Sequence, residues 1–239
     1  MVQLFLLQPE DHGQEFRKNY VSLRGWIALT ANGARIIETR TGKVLEEHLL
    51  SKEAAKKAIA IGRKYDTLLE VYFDGQGYAQ KDEIAQVRKY HKNPNMWDYF
   101  LRTRIAVDRL EDLLDEKEGN LDKVQMLFAD MEEREEAWKE LEREGVFELV
   151  GSLQYNIEIN AVGVNKGTGL VNLGKMLGIR REEIMACGDG DNDIAMLKEV
   201  GFGVAMANAE EKVKAVADYI TESNNDEGVA KAIEKFVLK

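Results

Sequence analysis

The stretch at residues 184–200, IMACGDGDNDIAMLKEV, constrains the fold more than any other part of the chain. A short apolar run leads into three carboxylates, Asp189, Asp191 and Asp193, and the apolar residues after them have the spacing of one helical face. This order of strand, acidic loop and helix is typical of an open α/β sheet, in which ligands bind outside the carboxyl ends of the strands. Carboxylates this close repel one another unless cations or hydrogen-bond donors compensate them, and hard oxygen ligands suit Mg²⁺. We therefore expect a ligand or metal site here.

The same loop has two other interpretations. A solvated acidic loop that caps the helix, with Asp191 or Asn192 as N-cap, stays open on this stretch alone. An EF-hand calcium loop shares the D-x-D-x-D spacing, but it needs a glycine where Ile194 stands and a glutamate where Val200 stands. The EF-hand is therefore excluded.

Composition narrows the class of protein. The 239 residues, 44% apolar and 32% charged, are those of an ordinary globular protein with a sizeable core. The net charge of −10 argues against a nucleic-acid partner but leaves room for a small anionic substrate at a locally positive site.

The single cysteine, Cys187, excludes an internal disulfide, and its position in an apolar strand predicts a buried thiol. Because no apolar stretch approaches the roughly 20 residues of a membrane span, we expect no membrane partner and a cytoplasmic location; the oligomeric state stays open.

The first two thirds of the chain predict a small α+β domain packed by one sheet face, after an initial hairpin. The turn signals are Asn32-Gly33, Thr41-Gly42 and Asp74-Gly75, and Ser51 is the predicted N-cap of a helix. The predicted strands are 2–7, 26–30, 35–39, 43–48, 68–73 (alternating), 122–128, 147–150 and 155–159. The predicted helices are 51–65 and 131–144, and between them 81–117 is mostly helical but interrupted near Asn93-Pro94-Asn95.

From residue 165 onward, helices and strands alternate strictly. The predicted elements are helix 166–177 ending at Gly178, the strand and helix around the acidic loop, strand 203–205, helix 209–217, strand 219–221 and helix 227–238. Short connections and buried apolar strands predict a mostly parallel sheet with helices on both faces.

Lys166 stands in the segment GVNKGTG, at a strand-to-helix junction. The flanking glycines let backbone N–H groups approach an anion. A lysine here, with carboxylates at the end of the next strand, supplies what phosphoryl transfer requires: a cation for phosphate oxygens and ligands for Mg²⁺. A solvated lysine is the alternative interpretation, although the helix dipole disfavours a cation at this end.

GVNKGTGL and the long stretch at 184–236, ending in DEGVAKAIEKF, resemble the C-terminal half of a haloacid dehalogenase (HAD) superfamily phosphatase of the Cof type. TANGARI and the GKV hairpin are similar to the family's segment before its cap, so the resemblance covers residue 26 to the C-terminus. It implies an α/β fold, a Rossmann-like HAD core with a mostly parallel sheet plus an inserted α+β cap. The implied boundaries are 1–46 for the first part of the core, 47–160 for the cap and 161–239 for the second part.

The resemblance also implies hydrolysis of a small phosphorylated metabolite, such as a sugar phosphate, through Mg²⁺ and an aspartyl-phosphate. Matched residue by residue, it assigns the catalytic and phosphate-binding role to Lys166 and the Mg²⁺ ligands to Asp189 and Asp193. It also assigns phosphate contact to Asn192 and substrate contact to Asn32, and it puts Asp191 at a variable position, either next to the metal ligands or in solvent. In the cap, Glu158 and Asn160 either face the leaving group or form a buried strand pair.

The N-terminus departs from the family pattern. The family's first strand ends in D-x-D-G-T, whose first Asp is the nucleophile, whereas this chain has VQLFLLQPEDHGQEF. Gln8 falls near that position, but an amide is no such nucleophile; Asp11 is the nearest carboxylate, and His12 is an alternative base. We therefore expect a Mg²⁺-dependent phosphatase whose N-terminal catalytic segment is missing or altered. A non-catalytic binder of phosphorylated ligands and an inactive fragment are the alternatives.

Overall fold

The computed structural model describes residues 27–238, which group into two compact units. Residues 27–46 and 164–238 form unit 1, and residues 47–163 form unit 2. The strand predicted at 2–7 lies outside the described residues.

Unit 1 begins with a three-stranded sheet in the order β1 (Ile27–Thr30), β2 (Arg35–Glu38) and β3 (Lys43–Glu47). Strands β1 and β2 are antiparallel, joined by a 3₁₀ turn at Ala31–Gly33. Asn32 has a φ of 58° in this turn, in the left-handed region that Asn tolerates better than most residues. The predicted turn at Asn32-Gly33 is therefore confirmed. The predicted hairpin around Thr41-Gly42 is confirmed by β2 and β3, which are hydrogen-bonded neighbours in this sheet.

Unit 2 is built around a six-stranded mixed sheet. Its strands are, in spatial order, β6 (Ile105–Val107), β5 (Gln76–Gln80), β4 (Thr67–Phe73), β7 (Lys123–Phe128), β9 (Asn156–Asn160) and β8 (Glu148–Val150). Neighbouring strands are antiparallel except β5 and β6. The first helix of unit 2 begins after Ser51, whose side chain accepts a hydrogen bond from the backbone N–H of Ala54, as predicted. In chain order the elements are α1 (Lys52–Gly62), β4 (Thr67–Phe73), β5 (Gln76–Gln80), α2 (Lys81–Ala85), α3 (Val87–Tyr90), α4 (Trp97–Thr103), β6 (Ile105–Val107), α5 (Leu110–Glu116), β7 (Lys123–Phe128), α6 (Met131–Glu144), β8 (Glu148–Val150) and β9 (Asn156–Asn160).

Both faces of this sheet are covered, so the prediction of a sheet packed on one face is wrong. All seven residues of β4 are buried, and the predicted alternation is absent. Leu69 lies in the main apolar cluster, whereas Leu68 packs on the opposite face with Tyr90 and Phe100 from α3 and α4. These short helices cover the face that the pattern had assigned to solvent.

The prediction that 81–117 is mostly helical, with an interruption near Asn93-Pro94-Asn95, is confirmed, but the segment also contains a strand. This strand, β6, separates α4 from α5 and pairs in parallel with β5. The sequence pattern did not indicate β6. The pairing joins Tyr78 to Ile105, and Ile105 is exposed. Backbone hydrogen bonds to a distant strand, rather than burial of its own side chains, therefore define β6.

The rest of unit 1 alternates helix and strand, as predicted. Strands β10, β11 and β12 form a parallel sheet in that order. The elements are α7 (Lys166–Met176), β10 (Met185–Gly188), α8 (Ile194–Glu199), β11 (Phe202–Ala205), α9 (Glu211–Lys214), β12 (Tyr219–Ile220) and α10 (Gly228–Phe236).

Helix α9 is much shorter than the predicted 209–217. The chain must turn into β12, where the backbone N–H of Asp218 donates to the carbonyl of Gly203 at 2.9 Å. That hydrogen bond ends the helix early.

The apolar core of unit 1 joins its two chain segments. Leu29 and Ile36 from the first sheet pack with Leu170 and Leu173 of α7 and with Ile184 before β10. Within residues 27–238, no helix has the length and apolar character needed to cross a bilayer.

Candidate functional site

The acidic loop, residues 189–193, follows β10 at the carboxyl end of the parallel sheet of unit 1. A 3₁₀ turn at Asp191–Asp193 leads directly into α8. The strand, loop and helix predicted from the sequence are therefore confirmed, and the carboxylates lie at the sheet edge where ligands of such folds bind.

Asp193 holds the loop together. Its Oδ2 accepts hydrogen bonds from the backbone N–H groups of Asp189 and Gly190, both at 2.9 Å, and its Oδ1 lies 2.7 Å from Lys166 Nζ. The side chains of Asp193 and Lys166 are only 9% and 12% exposed. A Cβ at position 188 would lie 2.4 Å from Asp193 Cβ, so Gly188 leaves the space that this carboxylate occupies.

Lys166 is the first residue of α7, and a capping box fixes the start of that helix. The Asn165 side chain accepts hydrogen bonds from the N–H groups of Gly167 and Thr168, each at 3.0 Å, and Thr168 Oγ1 accepts from Asn165 N. A Cβ on Gly167 would lie 2.7 Å from the carbonyl oxygen of Ala195, so α7 and α8 approach closely there. This packing places Lys166 against Asp193.

The turn that holds Asn32 packs on the same helix. Gly33 has a φ of 96°, and a Cβ there would lie 2.8 Å from the Asn165 carbonyl oxygen. A Cβ on Gly169 would lie 2.8 Å from Gly33 Cα, so both positions require glycine. Asn32, 2% exposed, is thereby buried in a turn that packs on the first turns of α7.

The two exposed carboxylates of the acidic loop contact side chains from the segment that follows β11 in the sequence. Asn208 Nδ2 donates to Asp189 Oδ2 at 2.7 Å, and Lys212 Nζ lies 2.5 Å from Asp191 Oδ2. The hydrogen bond to Asp191 raises the pKa of the Lys212 ammonium group. Sequence reasoning missed Asn208 and Lys212, although both follow the strand next to β10 and the carboxyl ends of parallel strands share one edge.

Two further residues discussed in the sequence analysis lie in the acidic loop or just before it. Asn192 is half-buried, and its Oδ1 lies 2.9 Å from the position that a Cβ of Gly190 would take, so its side chain lies over that backbone. Cys187 in β10 is half-buried, and desolvation raises the pKa of its thiol to about 11. The thiol therefore stays protonated at neutral pH, as expected of a structural cysteine.

In unit 2, Glu158 and Asn160 lie within β9 and are both buried. Glu158 Oε2 lies 3.0 Å from Lys123 Nζ on the neighbouring strand, and Asn160 Nδ2 donates to the carbonyl of Glu148 at 3.4 Å. These are the contacts of a buried strand pair; a role toward a leaving group stays a prediction.

The donor chemistry of the acidic loop fits Mg²⁺. Mg²⁺ is usually bound by one or two carboxylates together with waters and phosphate oxygens. Asp189 presents an exposed carboxylate, and Asp193, four residues later, adds a second whose oxygens are already hydrogen-bonded. Residues 27–238 contain no group of three or more His, Cys, Asp or Glu side chains arranged to hold a metal ion.

The residues considered for the nucleophile position in the sequence analysis, Gln8, Asp11 and His12, lie outside the described residues.

Comparison with known proteins gives consistent matches. The sequence matches the family model of haloacid dehalogenase-like hydrolases over residues 14–233. It is 50% identical over 105 residues to the 5-amino-6-(5-phospho-D-ribitylamino)uracil phosphatase YcsE of Bacillus subtilis, covering 44% of this chain and 42% of that protein. It is 41% identical over 81 residues to a phosphoglycolate phosphatase of Methanosarcina acetivorans, covering 34% and 36%. The chain thus matches only about two fifths of the length of these curated relatives.

A solved structure has the same fold. A haloacid dehalogenase-like hydrolase from B. subtilis aligns with a TM-score of 0.83 at 24% identity, over 98% of this chain and 87% of that one. At this identity the likeness shows the shared fold: an α/β core with a mostly parallel sheet and an inserted α+β cap.

Proposed function

The chain belongs to the haloacid dehalogenase-like hydrolases, in their Cof-type subfamily, and from that premise we propose that it acts on a phosphate monoester of a small metabolite. The observation that carries the proposal is the nearly buried ion pair between Lys166 and Asp193, at the carboxyl end of a parallel sheet and beside an exposed carboxylate. The two relatives are named for different compounds, a phosphoribitylamino-uracil and phosphoglycolate. What those compounds share is the phosphate monoester, which is therefore the substrate class proposed.

In this proposal each residue of the site has a distinct part. Lys166, held by Asp193, supplies the positive charge that phosphate oxygens require, and Asn192 and Asn32 contact the phosphate and the substrate. Asp189 and Asp193 are the proposed Mg²⁺ ligands. Mg²⁺, when bound, would neutralise charge on the phosphate oxygens.

Hydrolysis through an aspartyl-phosphate needs one more group. A carboxylate oxygen must bond to phosphorus while the ester P–O bond breaks, and water then releases inorganic phosphate and restores the carboxylate. The 239 residues contain no D-x-D-G-T motif, and Asp11 is the carboxylate nearest to the expected position. This observation favours a second candidate function, binding of phosphorylated ligands without turnover.

A single set of measurements separates the two candidates. The purified chain is assayed for p-nitrophenolate release from p-nitrophenyl phosphate with and without Mg²⁺, together with Lys166→Ala and Asp189→Ala. Lys175→Ala is the matched control, because Lys175 is an exposed lysine in the last turn of the same helix. Mg²⁺-dependent release that both site variants lose and the control keeps supports a phosphatase.

The melting temperature decides the remaining cases. If no release is seen but Mg²⁺ and inorganic phosphate raise the melting temperature of the wild type, and not that of Lys166→Ala, the chain is a binder. If neither release nor a thermal shift occurs, both candidates are refuted.

A further inference from the structure

The three carboxylates of the acidic loop differ in the charge of their partners. Asp193 pairs with the ammonium group of Lys166, and Asp191 pairs with that of Lys212. Among the described residues, the partner of Asp189 is the neutral amide of Asn208. Lys212 Nζ also lies 3.3 Å from Glu210 Oε2, outside the loop. Among the described residues, Asp191 and Asp193 thus have an ammonium partner, whereas Asp189 has a neutral one.

The amide of Asn208 is held at both ends. Its Nδ2 donates to Asp189 Oδ2 at 2.7 Å, and its Oδ1 accepts from the backbone N–H of Asn224 at 3.0 Å. Rotating the amide by 180° would turn its oxygen toward the carboxylate and its NH₂ toward the N–H of Asn224, which removes both hydrogen bonds. The two contacts therefore fix a single orientation.

We propose that Asn208 is a positioning residue that orients Asp189 as a cation ligand without neutralising it. The inference rests on the proposed function, in which Asp189 binds Mg²⁺. A donor to Oδ2 restrains the rotation of the carboxylate and keeps its charge for a cation. Groups that hydrogen-bond a metal-binding side chain typically change metal affinity 10–100-fold when they are removed.

The test is the dissociation constant of Mg²⁺, measured by isothermal titration calorimetry on the full chain without substrate. Asn208→Ala is expected to raise that constant about 10–100-fold, because the carboxylate loses its restraint. Asn208→Lys is expected to raise that constant further than Asn208→Ala does, because it adds a positive charge beside Asp189. Asn224→Ala is the matched control, since it keeps the backbone N–H that contacts Asn208.

Folding is followed separately. Asn208 and Asn224 are both exposed, so the melting temperatures of the variants without Mg²⁺ should equal that of the wild type. A Kd that rises in Asn208→Ala, at unchanged melting temperature, supports positioning rather than a general loss of structure.

Two outcomes overturn different claims. If the wild type does not bind Mg²⁺, or Asp189→Ala binds it equally well, the proposed metal role of Asp189 fails and the inference falls with it. If the wild type binds Mg²⁺ through Asp189 and Asn208→Ala binds with the same Kd, only the positioning role is refuted.

Discussion

Replacing Asp193 by asparagine tests how the acidic loop is held. The carboxylate accepts hydrogen bonds from Lys166 Nζ on one oxygen and from the N–H groups of Asp189 and Gly190 on the other. An asparagine has one acceptor oxygen, so its NH₂ group must face either the ammonium group or the two backbone N–H groups. In both arrangements donors point at donors, and the charge on Lys166 loses its partner.

The expected loss of stability follows from the burial of this pair. Removing one partner of a buried ion pair costs about 3–5 kcal/mol, because the other charge stays buried and uncompensated. Lys166 keeps 12% exposure and so retains some access to water, which puts the expected loss near the lower end, about 3 kcal/mol.

The double variant Lys166→Met with Asp193→Asn checks the cause of that loss. Without the ammonium group, the asparagine oxygen is free to accept from the two backbone N–H groups. The double variant should therefore be about 1–2 kcal/mol more stable than Asp193→Asn alone, since the uncompensated charge is gone.

The assay is urea unfolding followed by far-UV circular dichroism, with hydrogen exchange at the amides of Asp189 and Gly190 as the local readout. The control is Asp191→Asn in the same loop: its ion pair is 43–53% exposed and should contribute less than about 1 kcal/mol.

Two results would refute this reasoning. One is an Asp193→Asn variant as stable as Asp191→Asn. The other is a double variant no more stable than Asp193→Asn alone.

Two predictions concern titratable groups. His91 Nδ1 lies 3.1 Å from Tyr155 Oη, and burial, helped by the charge of Arg104, lowers the pKa of His91. The unfolded chain therefore binds this proton better, so the stabilisation is complete above about pH 6.5 and is lost as pH falls through the folded pKa. His91→Phe should make the urea midpoint fall less between pH 7.5 and 5 than it does in the wild type. A fall as large as that of the control His48→Ala, which replaces an exposed histidine, would contradict this. Desolvation raises the pKa of the half-buried Cys187 thiol to about 11, so iodoacetamide at pH 8 should alkylate it at least roughly 10-fold more slowly in the native protein than in urea. Equal rates by mass spectrometry would contradict this protection.

Local signals made much of the fold predictable. The turn at Thr41-Gly42, the N-cap at Ser51 and the helix from Lys166 all depend on residues close in sequence, and each is present in the structure. Strands β5 and β6 depend on each other instead, through pairs such as Tyr78 with Ile105. A short, exposed strand inside a charged segment has no periodicity of its own, so its sequence resembles that of a helix.

The sequence was enough to predict at which edge of the sheet the candidate site lies. The sequence places Lys166, Asp189 and Asp193 near one another because all three follow the ends of elements that alternate in an α/β fold. It does not reveal that Asp193 folds back onto its own loop, which depends on the space left at Gly188. Nor does it assign Asn208 to Asp189, because that contact requires knowing which strand lies next to β10.

Because unit 1 is built from two separate segments of the chain, its core can form only after the second segment has been synthesised. Its first segment, residues 27–46, leaves the ribosome before all of residues 47–163, while the apolar partners of Leu29 and Ile36 on α7 come later still. At roughly 5–20 residues per second, that interval lasts on the order of 6–25 s. The described part of unit 2 is one continuous segment, residues 47–163, with its own apolar core, so this segment can fold before α7 has been synthesised. A nascent chain stopped before residue 166 therefore presents Leu29 and Ile36 uncovered, as an attachment point for chaperones or for other unfinished chains.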